Sequence, residues 1–240
     1  MIFQDSFAQR IIVVLIVQIW PIFYGSYFAI KLLKRAKTRS TYSLSSFFIL
    51  LSQAYLLAAI SIFFLNTPLS YFFYILGIYC FVFCHCFFVI FSWVLVKLDN
   101  KSTKWKFGLI LVFYGIVSTY VFWLGYYFNG ITIDLTTNWV PNYSWDFLMF
   151  SWIIFLIFLV IPQIYFSFKL VKVFEGVILK RRLNMFILAV FLELLVVFSL
   201  FLYHYLFDNQ IYRTFHVIVM PIISTTAAFL IYKSFGKELE

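Results

Sequence analysis

The chain has 240 residues, of which 65% are hydrophobic and only 11% charged, with a formal net charge of +9. That mix is far from the roughly half apolar, quarter charged composition of soluble domains, and no soluble fold hides so much apolar side chain. Nucleic-acid binding is excluded by where the cations lie: 16 of the 18 Lys and Arg fall within 31–39, 97–106, 169–182 and from 233 onward, at the ends of apolar runs.

Residues 1–10 lack a basic leader and a small-residue cleavage site, so the first apolar segment is expected to be retained rather than removed as a signal peptide. Stretches 11–30, 40–96, 107–133, 147–168 and 214–232 contain no charged residue. Each is long enough to cross a hydrocarbon core of ~30 Å, which takes about 20 helical residues. The long run 40–96 breaks at Asn66-Thr67-Pro68, a turn-forming tripeptide. These boundaries predict helices near 11–33, 44–65, 70–96, 106–128, 147–171, 184–207 and 212–233. The fold class expected is all-α: a polytopic integral membrane protein with one domain, 1–240, of seven transmembrane helices. A membrane barrel needs strands that alternate polar with apolar, and here the apolar runs are continuous.

Because cytoplasmic loops carry the Lys and Arg excess, the N-terminus is expected outside and the C-terminus in the cytoplasm of a cell membrane, with the basic loops facing anionic lipid. Trp93 and Trp105 flank the inner side, and Trp123, Trp139 and Trp145 the outer, as interface belts do. The external segment from Ile131 to Thr136 alternates well enough for a short strand or hairpin. Asn142-Tyr143-Ser144 matches a glycosylation sequon by pattern alone.

Inside the spans the sharpest feature is Glu193, near the bilayer midplane by helical rise. A carboxylate there costs several kcal/mol unless paired or protonated, so such residues face the bundle and often mark function. Gln53, His85 and Gln163 fall at similar depth. The four are candidates for one ligand or proton site. The competing reading is interhelical hydrogen-bond glue. Pro21, Pro162 and Pro221 sit inside spans, where each removes a backbone hydrogen bond and permits a kink. His204, Asp208 and His216 gather ligand types suited to zinc near the outer end, but three loosely placed groups make a weak case and no metal is expected. Cys80, Cys84 and Cys86 read as packing residues, since only the first two share a helix face.

No phosphate-cradling glycine loop and no hydrolase or metalloprotease motif occurs, so an enzyme is not expected and no cofactor is implied. Retinal is excluded, because the middle of the last helix is Pro221-Ile222-Ile223 and Lys233 lies at its inner end. Pro21-x-x-Tyr24-x-Ser26 recurs as Pro162-x-x-Tyr165-x-Ser167, each before a basic exit, Lys31 and Lys34 in one case and Lys169 and Lys172 in the other. Chance resemblance between two apolar helices competes with a parallel three-plus-three repeat.

The passage through Lys31, Lys34, Arg35, Lys37 and Arg39 into the second helix carries a family resemblance, together with Lys180-Arg181-Arg182-Leu183 opening the sixth and Tyr232-Lys233-Ser234-Phe235-Gly236 closing the seventh. In layout the whole chain resembles the seven-helix N-terminal sensor region of prokaryotic, especially archaeal, histidine kinases. The resemblance implies a non-enzymatic, receptor-like sensor. No kinase is expected in this chain, so signal transduction would pass through a separate cytoplasmic partner. A second resemblance is to the PQ-loop group of solute carriers and sorting receptors. Pro162-Gln163 supplies a proline-glutamine pair, and Arg39-Ser40-Thr41-Tyr42-Ser43 is similar to the loop that follows the first one. Against it, Pro21 is followed by Ile22 and the second repeat lacks the serine-rich loop. It implies a small-solute or proton-coupled transporter with a midplane polar site.

Overall fold

In the computed structural model, residues 19–35, 38–96, 104–137 and 139–236 are described. They form helix α1 (Ile19–Arg35), α2 (Arg39–Ile60, ending in the 3-10 turn Ser61–Phe64), α3 (Pro68–Val96), α4 (Trp105–Tyr127), α5 (Trp145–Val173), α6 (Val177–Tyr205) and α7 (Gln210–Ile231, ending in the π turn Tyr232–Gly236). Six of these helices, α2 to α7, are long and apolar enough to cross a membrane, which is compatible with a multi-pass membrane protein. The first expected span falls partly outside the described residues, and α1 is seen from Ile19 onward.

Local chemistry explains where the helices begin. The α2 helix starts five residues earlier than its apolar run suggests, because the Thr38 hydroxyl accepts from the Thr41 amide and caps it. Pro68 opens α3, where a missing N–H costs nothing. Ser144 caps α5 through the Phe147 amide, and Asn209 caps α7 through that of Tyr212. The expected turn between α2 and α3 is present, with Asn66 in the left-handed region at φ 67°. The α6 helix corrects the expected start at 184: it begins at Val177 after Gly176, at φ 100°, so Lys180, Arg181 and Arg182 are its first turns rather than a loop.

The helices close into a ring with α3 as its most buried member, apolar on every face. It packs on α2, α4 and α5, while α6 joins α5 to α7 and α1 joins α7 back to α2. Close approaches are made at small residues. A Cβ on Gly25 of α1 would collide with Ser52 Oγ of α2 and stand 3.1 Å from the Phe48 carbonyl, and one on Gly77 of α3 would meet the Ala54 carbonyl at 3.0 Å. The rest of the core is aromatic. Phe47 and Phe88 lie 4.1 Å apart between α2 and α3. At one end Phe235, carried inward by the π turn, sits 5.3 Å from both Phe91 and Phe186, tying α7 to α3 and α6.

Proline shapes α5. Pro162 has no N–H, so the Phe158 carbonyl one turn back loses its helical donor, and the chain runs as a π turn over Leu156–Val160 immediately before it. The Tyr114 hydroxyl of α4 donates to that carbonyl at 2.6 Å and so docks α4 on the π turn. In α7, Pro221 lies inside the helix, and its own carbonyl accepts the Thr225 hydroxyl at 2.7 Å.

The connection between α4 and α5 forms the expected hairpin. Ile131–Thr132 pairs antiparallel with Asn142–Tyr143, Ile131 opposite Tyr143, and both of those side chains point into the bundle. Gly130 is required there, since a Cβ would stand 2.5 Å from the Leu124 carbonyl. Asp134 ties the tip: its Oδ1 accepts from the amides of Thr136 and Thr137 and from the Thr136 hydroxyl.

Two outcomes follow. Gly25→Ala should push Ser52 out of its hydrogen bond to the Phe48 carbonyl and lower stability by about 1–3 kcal/mol. Measured as thermal unfolding in detergent, the loss should shrink when Ser52→Ala is added, whereas unaltered stability of Gly25→Ala would contradict the crossing. The hydrogen bond from the Thr136 hydroxyl, with those from the two amides, holds the exposed Asp134 carboxyl below the usual carboxylate range. A depressed acid contributes order above its unfolded pKa of about 3.9 and loses it as pH falls through the lower folded value. The amide resonances of Thr136 and Thr137 should therefore titrate together with a midpoint below that of a free Asp.

Candidate functional site

Glu193 lies near the middle of α6 and is 2% exposed. Its carboxylate accepts from the Ser224 hydroxyl of α7, at 3.0 Å to Oε1 and 3.3 Å to Oε2. With the Ser224 proton so used, Ser224 Oγ accepts in turn from the Tyr24 hydroxyl of α1 at 2.8 Å. One chain of hydroxyls thus runs from α1 through α7 to the acid on α6. Tyr55 of α2 and Cys84 of α3 lie within electrostatic reach of the same carboxylate. Among the described residues no Lys or Arg reaches it. Beside this chain, Trp20 Nε1 donates to the Thr225 hydroxyl at 2.9 Å, so α1 is fastened to α7 twice, within about one turn of Pro221.

The other three residues expected to share this layer do not reach Glu193. His85 is buried on α3, with Nδ1–H donating to the Phe81 carbonyl of its own helix at 2.7 Å. Its Nε2 has no hydrogen-bond partner, and the imidazole packs edge-to-face with the rings of Phe47, Phe81 and Phe88, centroids 5.6, 5.0 and 5.9 Å apart. Gln163 is buried too, but it pairs with Ser92, its amide nitrogen donating at 3.0 Å, and so joins α5 to α3. Gln53 is exposed on the outer face of α2. A residue count along each helix gives depth but not facing, which explains the misplacement of Gln53.

The histidines at the hairpin end of the bundle are similarly separate. His204 donates from Nδ1 to the Pro141 carbonyl at 3.0 Å, and its Nε2 stands 3.4 Å from the Tyr74 hydroxyl, which in turn is 2.8 Å from that of Tyr143. This chain fastens the hairpin to α3 and α6. His216 contacts Ser199 Oγ at 2.8 Å and is stacked on Tyr203 at 4.7 Å. Asp208 is exposed in the turn between α6 and α7. The three do not converge, and among the described residues no group of three His, Cys, Asp or Glu is placed to hold a metal. Cys84 and Cys86 are buried and Cys80 is half-buried, with Cys84 Sγ donating to the Phe81 carbonyl.

The two proline-tyrosine-serine segments play different parts. Tyr24 is buried in the hydroxyl chain, whereas Tyr165 is half exposed beneath Lys169, whose Nζ lies 4.6 Å from the ring centroid. Sequence reasoning missed the partners of Glu193. Ser224 carried no signal in an apolar run, and Tyr24 stood out only through the repeat.

Comparison with known proteins returns no match: no family model, no curated protein and no solved structure pairs with the chain.

Removal of Ser224 should leave the buried carboxyl without its donor. Ser224→Ala is expected to lower stability by about 1–3 kcal/mol, and Tyr24→Phe by about 0.6 kcal/mol. The two should be non-additive in a double-mutant cycle read by thermal unfolding, and simple additivity would show that the hydroxyls act separately.

Proposed function

We propose that the chain is a non-enzymatic, receptor-like membrane protein that passes a signal to a separate cytoplasmic partner. It crosses a cell membrane seven times with its N-terminus outside. Orientation rests on the split of 16 basic residues to 2 between the two sides. Sensing is favoured over transport by the closed helical ring and by the hairpin fastened across its outer end through Tyr74, Tyr143 and His204.

The observation that carries this reading is the join at Glu193. A single acid, buried without a cation near it among the described residues, holds α6 to α7 and α1 through Ser224 and Tyr24, one turn from Pro221. A carboxylate in hydrocarbon is costly in its charged form, so a change in its charge or its hydrogen bonding biases how these three helices sit. Ser224 of α7 donates to it, Tyr24 of α1 bonds Ser224, and Tyr55 of α2 and Cys84 of α3 lie within electrostatic reach. Helix movement at one end is then readable at the other, as in other switches that act through a local electrostatic event.

The second reading, a small-solute or proton-coupled transporter of PQ-loop type, draws on Gln163, which is buried and locked to Ser92 across α5 and α3. One experiment separates the two. Spin labels at Asn184→Cys on α6 and Lys233→Cys on α7, in lipid nanodiscs, report the distance between the inner ends. Receptor-like behaviour requires that distance to change by about 1–2 Å or more between acid and alkaline pH, and Glu193→Gln to abolish the change. If the distance stays fixed while proteoliposomes show pH-dependent solute or proton flux that Glu193→Gln removes, transport replaces the proposal.

A further inference from the structure

The hydroxyl chain at Glu193 holds more lone pairs than protons. Both of its O–H groups are spent inside it: Ser224 donates to the carboxylate, and Tyr24 donates to Ser224 Oγ. A carboxylate offers about four lone-pair sites and a hydroxyl about two, so each of these oxygens keeps unfilled pairs after both protons are placed. Among the described residues no further donor arrives: the carboxylate accepts from Ser224 alone, and no Lys or Arg reaches it. The Tyr55 hydroxyl of α2, within electrostatic reach of the same carboxylate, makes no hydrogen bond to a described residue.

An enclosed set of oxygens with unfilled lone pairs and one negative charge is complementary to a cation. Its oxygens are hard ligands, which favours alkali and alkaline-earth ions over zinc or copper. The single carboxylate then selects by charge. A divalent ion would leave an uncancelled positive charge in hydrocarbon, whereas a monovalent ion leaves the site neutral. Spacing selects by size. Neighbouring oxygens stand 2.8 Å apart between Tyr24 and Ser224, and 3.0 and 3.3 Å between Ser224 and the carboxylate. An ion of calcium's size, with oxygen ligands at about 2.4 Å, spaces neighbouring ligands by roughly 3.4 Å. Sodium has that size and potassium is larger, so sodium fits these oxygens with the smaller movement of α1, α6 and α7.

We propose that Glu193, Ser224 and Tyr24 form a sodium site, with the Tyr55 hydroxyl recruited from α2, and that sodium and a proton compete for it. The inference deepens the receptor-like reading and rests on it for the claim that occupancy of this joint moves helices; binding itself does not depend on that claim. Sodium draws together oxygens from α1, α2, α6 and α7, whereas a proton engages one carboxylate oxygen and leaves Tyr55 aside. The two occupants therefore favour different seatings of α1 and α2 against α6 and α7. Among the described residues the titratable groups within reach of the carboxylate are Tyr24, Tyr55 and Cys84, and none of them supplies a cation.

The test uses the full chain in nanodiscs of zwitterionic lipid at constant ionic strength. Radioactive sodium should bind at alkaline pH and saturate near one ion per chain. Thermal unfolding should move upward in sodium chloride relative to choline chloride, as a ligand of the folded state requires, and less in potassium chloride. Sodium affinity should fall by up to about tenfold per pH unit once the proton competes. Glu193→Gln, which keeps the shape and removes the charge, should abolish both binding and shift. Ser224→Ala and Tyr55→Phe should each weaken sodium about fivefold, while Gln53→Ala, at comparable depth on the outer face, should leave it unaltered. Sodium binding that survives Glu193→Gln, or equal shifts in sodium and choline, overturns the proposal. Sodium binding that Glu193→Gln removes, with an inner-end distance indifferent to sodium and pH, keeps the site and removes the receptor-like switch. A distance that follows pH with no sodium binding does the reverse, so the two failures are told apart.

Discussion

Several polar groups enclosed by these helices find partners on other helices, because almost everything else around them is hydrocarbon side chain. That constraint orders the structure. The Phe158 carbonyl, orphaned by Pro162, takes its proton from Tyr114 and so brings α4 to α5. Gln163 spends its amide on Ser92 and ties α5 to α3. Tyr24 and Ser224 turn one acid into a join among three helices. Van der Waals packing supplies the remainder, through close crossings at Gly25 and Gly77 and aromatic rings that fill the space between helices. In a lipid-like surrounding, apolar burial alone gives little preference for one helix neighbour over another, so these few bonds and small-residue contacts choose the arrangement.

The same constraint makes Glu193 the place where function is sought. Most of the enclosed polar groups have neutral partners and neutral tasks. Glu193 differs in kind, since the Ser224 hydroxyl that donates to it cannot cancel a charge. His85 is the nearest parallel, a titratable ring packed among phenylalanines with one nitrogen bonded to its own helix and the other without a hydrogen-bond partner. Yet His85 makes no hydrogen bond to another helix, while Glu193 joins α6 to α7, one turn from Pro221, and to α1. A group that is costly in one state and placed at a joint between helices is what the proposed receptor-like role would draw on.

Much of the layout was legible from residue order. Uncharged runs separated by basic clusters located the helices, and Asn66-Thr67-Pro68 marked the break between α2 and α3 because Asn accepts the left-handed turn and Pro opens a helix. The hairpin strand around Ile131 was legible from alternation. The start of α6 was not, because a charge-rich stretch was read as loop when Lys180, Arg181 and Arg182 extend a helix beyond the apolar layer. Gln53 and Gln163 show a second limit of residue order: both lie at comparable depth, but one faces out and the other in.

By itself, then, the sequence determined that the chain is predominantly helical, where most of its helices run, and which polar residues lie near the depth of Glu193 but not which of them face inward, because depth follows from hydropathy and a fixed rise per residue. Only the tertiary structure decided who meets whom. Tyr24 and Ser224 are 200 residues apart in the chain, and no local periodicity encodes their contact. It is set by the rotation of each helix about its axis and by how closely its small residues let a neighbour approach, both of which belong to the packed bundle rather than to any one segment.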